Sequence, residues 1–226
     1  AYGFDEVAIV PGEVTVNPEL TQLGLDIGPY HFDVPFLASA MDAVVDPRFA
    51  IEMHRAGGLA VLNLEGVWTR YDDPGAMLEQ VASASRVEAT AILQEAYHEP
   101  IRDDLIARRI REIKDGGAVA AISVTPMLTK KYAPLIQDSG ADIIVVQSTV
   151  TTAHHESNSV EGLRFDKLFK NIHIPVVVGN TVGFGATLEI MRTGVAAVLV
   201  GVGPGAACTS REVLGIGVPQ VTATID

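Results

Sequence analysis

The chain has 226 residues, 48% of them apolar, one cysteine and a formal charge of −12. That supplies a substantial core for one large domain or two small ones. The acidic balance and the lack of basic runs exclude broad binding to nucleic acid, leaving local binding of a nucleotide-sized anion open.

A lone cysteine excludes an internal disulfide and suits a reducing compartment. Apolar runs such as 195–202 fall far short of the ~20 residues that span a bilayer. The N-terminus shows no basic segment followed by an apolar one, so the expected location is cytoplasmic. Residues 1–30, rich in proline, glycine and acids, read as a lead-in, with small strands expected around Val14, Val16 and Leu23, Leu25. From Val34 the texture changes to a short apolar run, VPFLASAMD, followed by helical spacing over 47–56. The same unit then recurs. RAGGLAVLN, KDGGAVAAIS, DSGADIIVVQ and RTGVAAVLVG each join a helix end to an apolar run through glycine, and IPVVVGN enters after proline. Glycine past a helix end adopts the left-handed conformation other residues resist, so these are helix stops feeding buried strands.

Six strands are predicted, at 36–39, 59–63, 119–123, 143–147, 176–180 and 196–201. Short, apolar and separated by helices, they indicate a parallel sheet covered on both faces. An open doubly wound sheet and a closed barrel both fit. Polar residues at the strands' carboxyl ends favour the barrel, where they would share one rim: Ser39, Met41 and Asp42; Asn63 and Glu65; Ser123 and Thr125; Gln147, Ser148 and Thr149; Asn180 and Thr181. The expected fold is a (β/α)8 TIM barrel of which this chain holds about six units. Between the second and third strands, 64–117 predicts helices near 74–83 and 102–114 around an apolar 89–93. That last stretch reads either as a seventh strand or as part of an insertion.

The last strand runs into GVGPGAACTSREVLGIGVPQ, 201–220, too rich in glycine and proline for a helix or strand interior. Cys208 lies at its centre, with hydroxyls on Thr209 and Ser210 beside it and a charge on Arg211 that would favour the thiolate. Cys208 is therefore the candidate nucleophile, against the plainer reading of a small buried residue. Gly201, Gly203 and Ala206 fit a dinucleotide fingerprint of the GxGxxA form, but the motif comes last in the chain, holds Pro204 and has no following strand. His154, His155 and Glu156 lack metal-ligand spacing and read as a solvated loop. Trp68 and Tyr71 read as packing residues that could also wall a pocket.

The loop 201–220 resembles the catalytic loop of the IMP dehydrogenase and GMP reductase family. LASAMDAV at 37–44 resembles that family's first-strand segment, SGADIIVVQST its fourth strand, and VVVGN at 176–180 its GGN-type strand end. The likeness is nearest to an IMP dehydrogenase-related group of actinobacteria and cyanobacteria that lacks regulatory domains, and residues 84–117 stand where those domains would be inserted. The resemblance implies a cytoplasmic purine-nucleotide oxidoreductase that converts IMP to XMP with NAD through a thioimidate on Cys208, with Thr209 beside it and Ser210 in the place of a catalytic threonine.

It further implies a nucleotide pocket of Ser39, Met41, Asn180, Gly205 and Ala206, and a cofactor side of Gln147, Ser148, Thr149, Gly201 and Gly203. A monovalent cation, potassium, would sit on the carbonyls of Gly203, Gly205 and Cys208. Ala206 departs from the family's phosphate-binding serine, and Gln147 from its cofactor-binding aspartate. The family's further catalytic parts would lie beyond Asp226. On this expectation 1–226 is a single barrel domain incomplete at its C-terminus, with open sheet edges that keep it from being a stable closed monomer, and a homotetramer when complete. Reductive deamination of GMP with NADPH, or nucleotide binding without turnover, are the rival readings. No nucleic-acid or membrane partner is expected.

Overall fold

In the computed structural model, which describes residues 1–158 and 162–226, the chain first forms an antiparallel hairpin of β1 (Leu25–Ile27) and β2 (Tyr30–Phe32). A parallel sheet follows: β3 (Leu37–Ala38), β4 (Leu59–Asn63), β5 (Ala121–Val124), β6 (Ile143–Gln147), β7 (Val176–Thr181) and β8 (Ala197–Val200). The helices, in chain order, are α1 (Pro47–Arg55), α2 (Gly75–Ser83), α3 (Arg86–Ala96), α4 (Asp103–Asp115), α5 (Pro126–Asp138), α6 (Phe165–Leu168), α7 (Phe184–Arg192), α8 (Ser210–Leu214) and α9 (Gln220–Ile225). The six predicted strands are the six of the parallel sheet, with ends moved by at most two residues.

The sheet order is strictly sequential, β3-β4-β5-β6-β7-β8, and every pairing is parallel. A doubly wound sheet would reverse order at a switch point, and none occurs, so this is the singly wound arrangement of a partial (β/α)8 barrel. Strand residues alternate between two cores. Ala60, Leu62, Ile122, Val124, Ile144, Val146, Val176 and Val178 pack with buried helix residues such as Ile106, Ile110, Ile113 and Ile136. Leu59, Val61, Ala121, Ile143, Val145 and Val177 form the other core. Both faces are apolar because both are covered. The outer strand β8 is only half buried, whereas Ile143 to Val146 are sealed.

The second core is completed by the hairpin, whose Ile27 and Phe32 are each 2% exposed against the inward strand residues. Gly28 turns it at φ +59°, and a side chain there would strike Pro175 just before β7. Tyr30 Oη donates to Asp142 Oδ1 (2.9 Å), and the same carboxylate accepts from Lys114 Nζ (2.7 and 2.8 Å) and the Ala120 amide (2.8 Å). The hairpin therefore plugs the amino-terminal end of the strands. Asp142→Ala would strand the buried Ala120 amide and loosen the plug. The expected loss is about 2 kcal/mol, measured by urea unfolding. Partial burial, then the Asp142 contact, pushes the Tyr30 hydroxyl from 10.0 to about 12. Its raised folded-state value means that this contact's stabilisation is complete below pH 10 and is lost as pH climbs toward 12.

Two expectations change. Residues 89–93 are neither a strand nor a strand-like run: they lie within α3, started by a capping box in which Glu88 Oε2 accepts from the Ser85 amide (3.0 Å) and hydroxyl (2.6 Å). That signature predicts a helix start better than local apolarity predicts a strand. Val14 and Val16 are exposed and in no strand; the small strands are at 25–27 and 30–32, where side chains have a core to meet.

Candidate active site

The carboxyl ends of five consecutive strands line one cavity of about 480 Å³. Ala40 comes from the β3 end, Asn63 and Glu65 from β4, Ser123 and Thr125 from β5, Gln147, Ser148 and Thr149 from β6, and Asn180 from β7. A neighbouring cavity of about 670 Å³ shares Glu65, Thr125 and Ser148 and continues over Met127, Val150 and Phe165.

The β6 and β7 ends are locked together. The Ser148 amide donates to Gly179 O (3.0 Å), the Asn180 amide to Ser148 O (3.1 Å), and Thr151 Oγ1 to Gly179 O (2.7 Å). A side chain at Gly179 would lie 2.4 Å from Leu199 Cβ, so only glycine lets β8 come this close. Asn180 Nδ2 donates to Gly201 O (2.9 Å), while its Oδ1 is buried without a partner. A buried acceptor left open at a cavity wall is unfavourable until a donor arrives, and here the donor can be a ligand N–H or O–H.

Around β4 the wall is held by side chains. Glu65 Oε1 accepts from the Thr125 amide (2.7 Å). Asp42 accepts from the Val67 amide (3.0 Å) and from Tyr97 Oη (2.5 Å). Arg70 donates to Glu65 O (3.0 and 3.2 Å), Tyr97 O (3.2 Å) and Glu99 O, with its guanidinium 5.3 Å from the centre of the Tyr97 ring. Burial, then the contact with Asp42, raises the Tyr97 hydroxyl well above the usual phenol range and keeps it a donor.

From β8 the chain enters the cysteine loop. The Gly201 amide donates to Thr181 O (2.9 Å), and the Val218 amide returns to Val202 O (2.9 Å), closing the loop on itself. Gly203, at φ +63°, lets Ile216 O approach to where a side chain would crowd it. Cys208 is half-buried; its amide donates to Gly205 O (3.1 Å), and its Sγ donates to Ser210 Oγ at 3.4 Å. Once ionised, the sulfur accepts from that hydroxyl. The Ser210 hydroxyl first, then its amide, lower the thiol's pKa, and Arg211 adds a smaller contribution. The sequence had placed that burden on Arg211, whose Nη2 instead donates to Gly205 O (3.3 Å).

The expected cofactor-side residues Gln147, Ser148 and Thr149 and the expected substrate residue Asn180 thus share one cavity; Ser39 and Met41 do not line it, although Ala40 between them does. Gly201 and Gly203 form the buried base of the cysteine loop, tied to that wall through Asn180. Gly205, Ala206 and Thr209 are exposed on its turn, with Cys208 and Ser210 half-buried, and none of the five lines the cavity. Arg70 and Tyr97 were not singled out from sequence: they arrive from beyond the β4 end and from the foot of the α2–α3 pair. Trp68 packs against the core, and the Tyr71 hydroxyl donates to Ala96 O (3.0 Å). Among the described residues, no helix is long and apolar enough to cross a membrane.

Residues 1–226 match the family model described as IMP dehydrogenase / GMP reductase domain. An uncharacterized oxidoreductase of Mycobacterium leprae is 36% identical over 231 residues, covering all of this chain and 62% of the relative. An inosine-5'-monophosphate dehydrogenase of Borreliella burgdorferi is 28% identical, covering 100% and 59%. The crystal structure of an IMP dehydrogenase/GMP reductase-like protein from Corynebacterium glutamicum superposes with a TM-score of 0.91 at 31% identity, covering 100% of this chain and 60% of that one. The chain therefore spans about three fifths of the length of these relatives. On its sequence match, its strand order and the rim those strands build, the chain belongs to the IMP dehydrogenase / GMP reductase family.

Proposed function

We propose that this chain carries the nucleotide-oxidising half of an IMP dehydrogenase-like oxidoreductase, with Cys208 as nucleophile. The observation that carries the reading is the Cys208 thiol, eased toward thiolate by Ser210 on a loop whose base is bonded to the cavity wall at Asn180. In the forward reaction the Cys208 sulfur bonds to C2 of the hypoxanthine ring, and C2 loses hydride, giving a thioimidate. Water then adds to C2 and the carbon–sulfur bond breaks, releasing XMP and returning the thiol with its proton. The nicotinamide cofactor, when bound, would take up that hydride and with it both electrons of the oxidation. Two adjoining cavities of about 480 and 670 Å³ sharing Glu65, Thr125 and Ser148 offer an extended site of a size that fits an elongated cofactor. The roles of this chain's residues are to orient the purine against Asn180, to present the sulfur, and to keep Gln147, Ser148 and Thr149 on the cofactor side.

Gly205 O, one of three carbonyls expected to hold potassium, already accepts from the Cys208 amide and from Arg211. A cation there would have to replace the Arg211 contact.

The test is to mix the protein, with whatever sequence flanks this chain, with IMP and NAD and to follow NADH. Release of ammonia from GMP with NADPH in place of that signal would assign the reductase reaction. Within this mechanism Ser210→Ala should raise the pH at which Cys208 alkylates and slow release of XMP more than hydride transfer. A rapid first turnover of NADH followed by a slower steady rate is the expected trace; unchanged steady turnover and an unmoved alkylation profile would remove Ser210 from the mechanism.

A further inference from the structure

We infer that Tyr97 is a positioning residue: its hydroxyl, by holding the Asp42 carboxylate, fixes the segment 39–45 that forms the nucleotide edge of the cavity. Its consequence for nucleotide binding rests on the function proposed above; the ordering of the segment does not.

Asp42 is the segment's anchor to the rest of the rim. Its carboxylate accepts from the Val67 amide, from Tyr97 Oη and, at 3.5 Å, from Asn63 Nδ2, and its main-chain oxygen accepts from Trp68 Nε1 at 3.4 Å. The segment's own main-chain bonds are local: the Met41 amide to Ser39 O, and the Val44 and Val45 amides to Met41 O. Met41 is 55% exposed and Val44 41%. Packing enters the segment through Ala40 and the sealed Val45 (1% exposed) at its two ends, and between them a charge-assisted bond at Asp42 governs how well Ser39 and Met41 are held.

The phenol that makes this bond comes from another part of the chain, at the end of the α2–α3 pair. The foot of that pair is secured separately. Arg70 holds the carbonyls of Tyr97 and Glu99 and lies over the Tyr97 ring, and the Tyr71 hydroxyl holds Ala96 O. None of those contacts uses the Tyr97 hydroxyl. Tyr97→Phe therefore deletes one bond and leaves its carrier in place.

The experiment has two arms on wild type, Tyr97→Phe, Asp42→Ala and the double variant. Without ligand, amide exchange at Val44 and Val45 should accelerate about tenfold in Tyr97→Phe, with the β4 and β6 amides unchanged. Asp42→Ala should do the same, and the double variant should add nothing further. Unchanged exchange in Tyr97→Phe, or additive effects in the double variant, would overturn the inference.

In the second arm IMP is titrated while following emission from Trp68, the chain's one tryptophan, which is bonded to Asp42 O. Tyr97→Phe should raise the IMP dissociation constant and KM about tenfold with kcat within about twofold, because Cys208 sits on a different loop. An equal dissociation constant, or a loss confined to kcat, would refute the positioning role. A wild-type protein that binds neither IMP nor GMP would instead defeat the proposed function, and the exchange arm would still decide the role of Tyr97.

Discussion

Cys208→Ala is expected to lower nucleotide-dependent NADH formation by about 10⁴-fold or more while leaving the unfolding curve where it was. In the proposed mechanism the loss is large because the sulfur would form the bond that converts C2 into a hydride donor, and neither Thr209, exposed beside it, nor Ser210, bonded to the sulfur, would take its place. Stability should hold to within about 0.5 kcal/mol, because the side chain is half-buried on a turn and the Cys208 amide keeps its bond to Gly205 O. NADH production at wild-type rate in the alanine variant would sink the covalent mechanism. Serine at 208 separates chemistry from shape: it restores a similar volume without a comparable nucleophile and should be as inactive as alanine.

The second large effect is structural. The Arg109 side chain on α4 is 5% exposed, and its guanidinium donates to Trp68 O (2.9 Å), Tyr71 O (3.1 Å) and Asp72 O (2.6 Å). It also pairs with Glu112 (3.0 Å) and lies 5.5 Å from the centre of the Trp68 ring. One fork thus holds the whole descent from β4 toward α2. Arg109→Ala would leave those carbonyls without donors and Glu112 with Arg108 alone (2.9 Å), a loss of about 3–5 kcal/mol. For a chain of this size that lowers the melting temperature by about 10 °C. Arg109→Lys should recover a minor part, since an ammonium cannot reproduce a planar fork aimed at three acceptors. A melting temperature within about 2 °C of wild type for the alanine variant would contradict this accounting.

The parts of the fold that could be read from sequence were those with a local cause. Glycines at 57, 117, 140 and 194, all with positive φ, stop helices, and each is followed within a few residues by a mainly apolar strand. Those two signals located four of the six sheet strands, and apolar runs entered after Pro35 and Pro175 located β3 and β7. The hairpin was not readable. LDI and YHF each offer only one sealed side chain, Ile27 and Phe32, and nothing local distinguishes them from the exposed alternation at Val14 and Val16. Only the barrel end they fill makes the difference. Within 64–117, local apolarity at 89–93 suggested a strand, whereas the structure shows a helix begun by the Ser85–Glu88 capping box.

At the candidate site the strand-end residues were legible because a parallel barrel must present them together. Arg70 and Tyr97 were not, because their place depends on how the α2–α3 pair folds back on the rim. The origin of the Cys208 acidity was half legible: sequence showed both Ser210 and Arg211 nearby, but only the geometry ranks the hydroxyl first.

The plug at the barrel's amino-terminal end also bears on how the chain is made. Tyr30 and Asp142 are 112 residues apart, so at ~5–20 residues per second the hairpin leaves the ribosome roughly 6–20 s before its partner is synthesised. Through that interval Ile27 and Phe32 have no interior to enter, because β6 and β7 do not yet exist. The nascent chain thus carries an apolar tag ahead of the barrel strands, a natural point for a chaperone to hold, and releases it by its own growth once the strands that bury it have been translated.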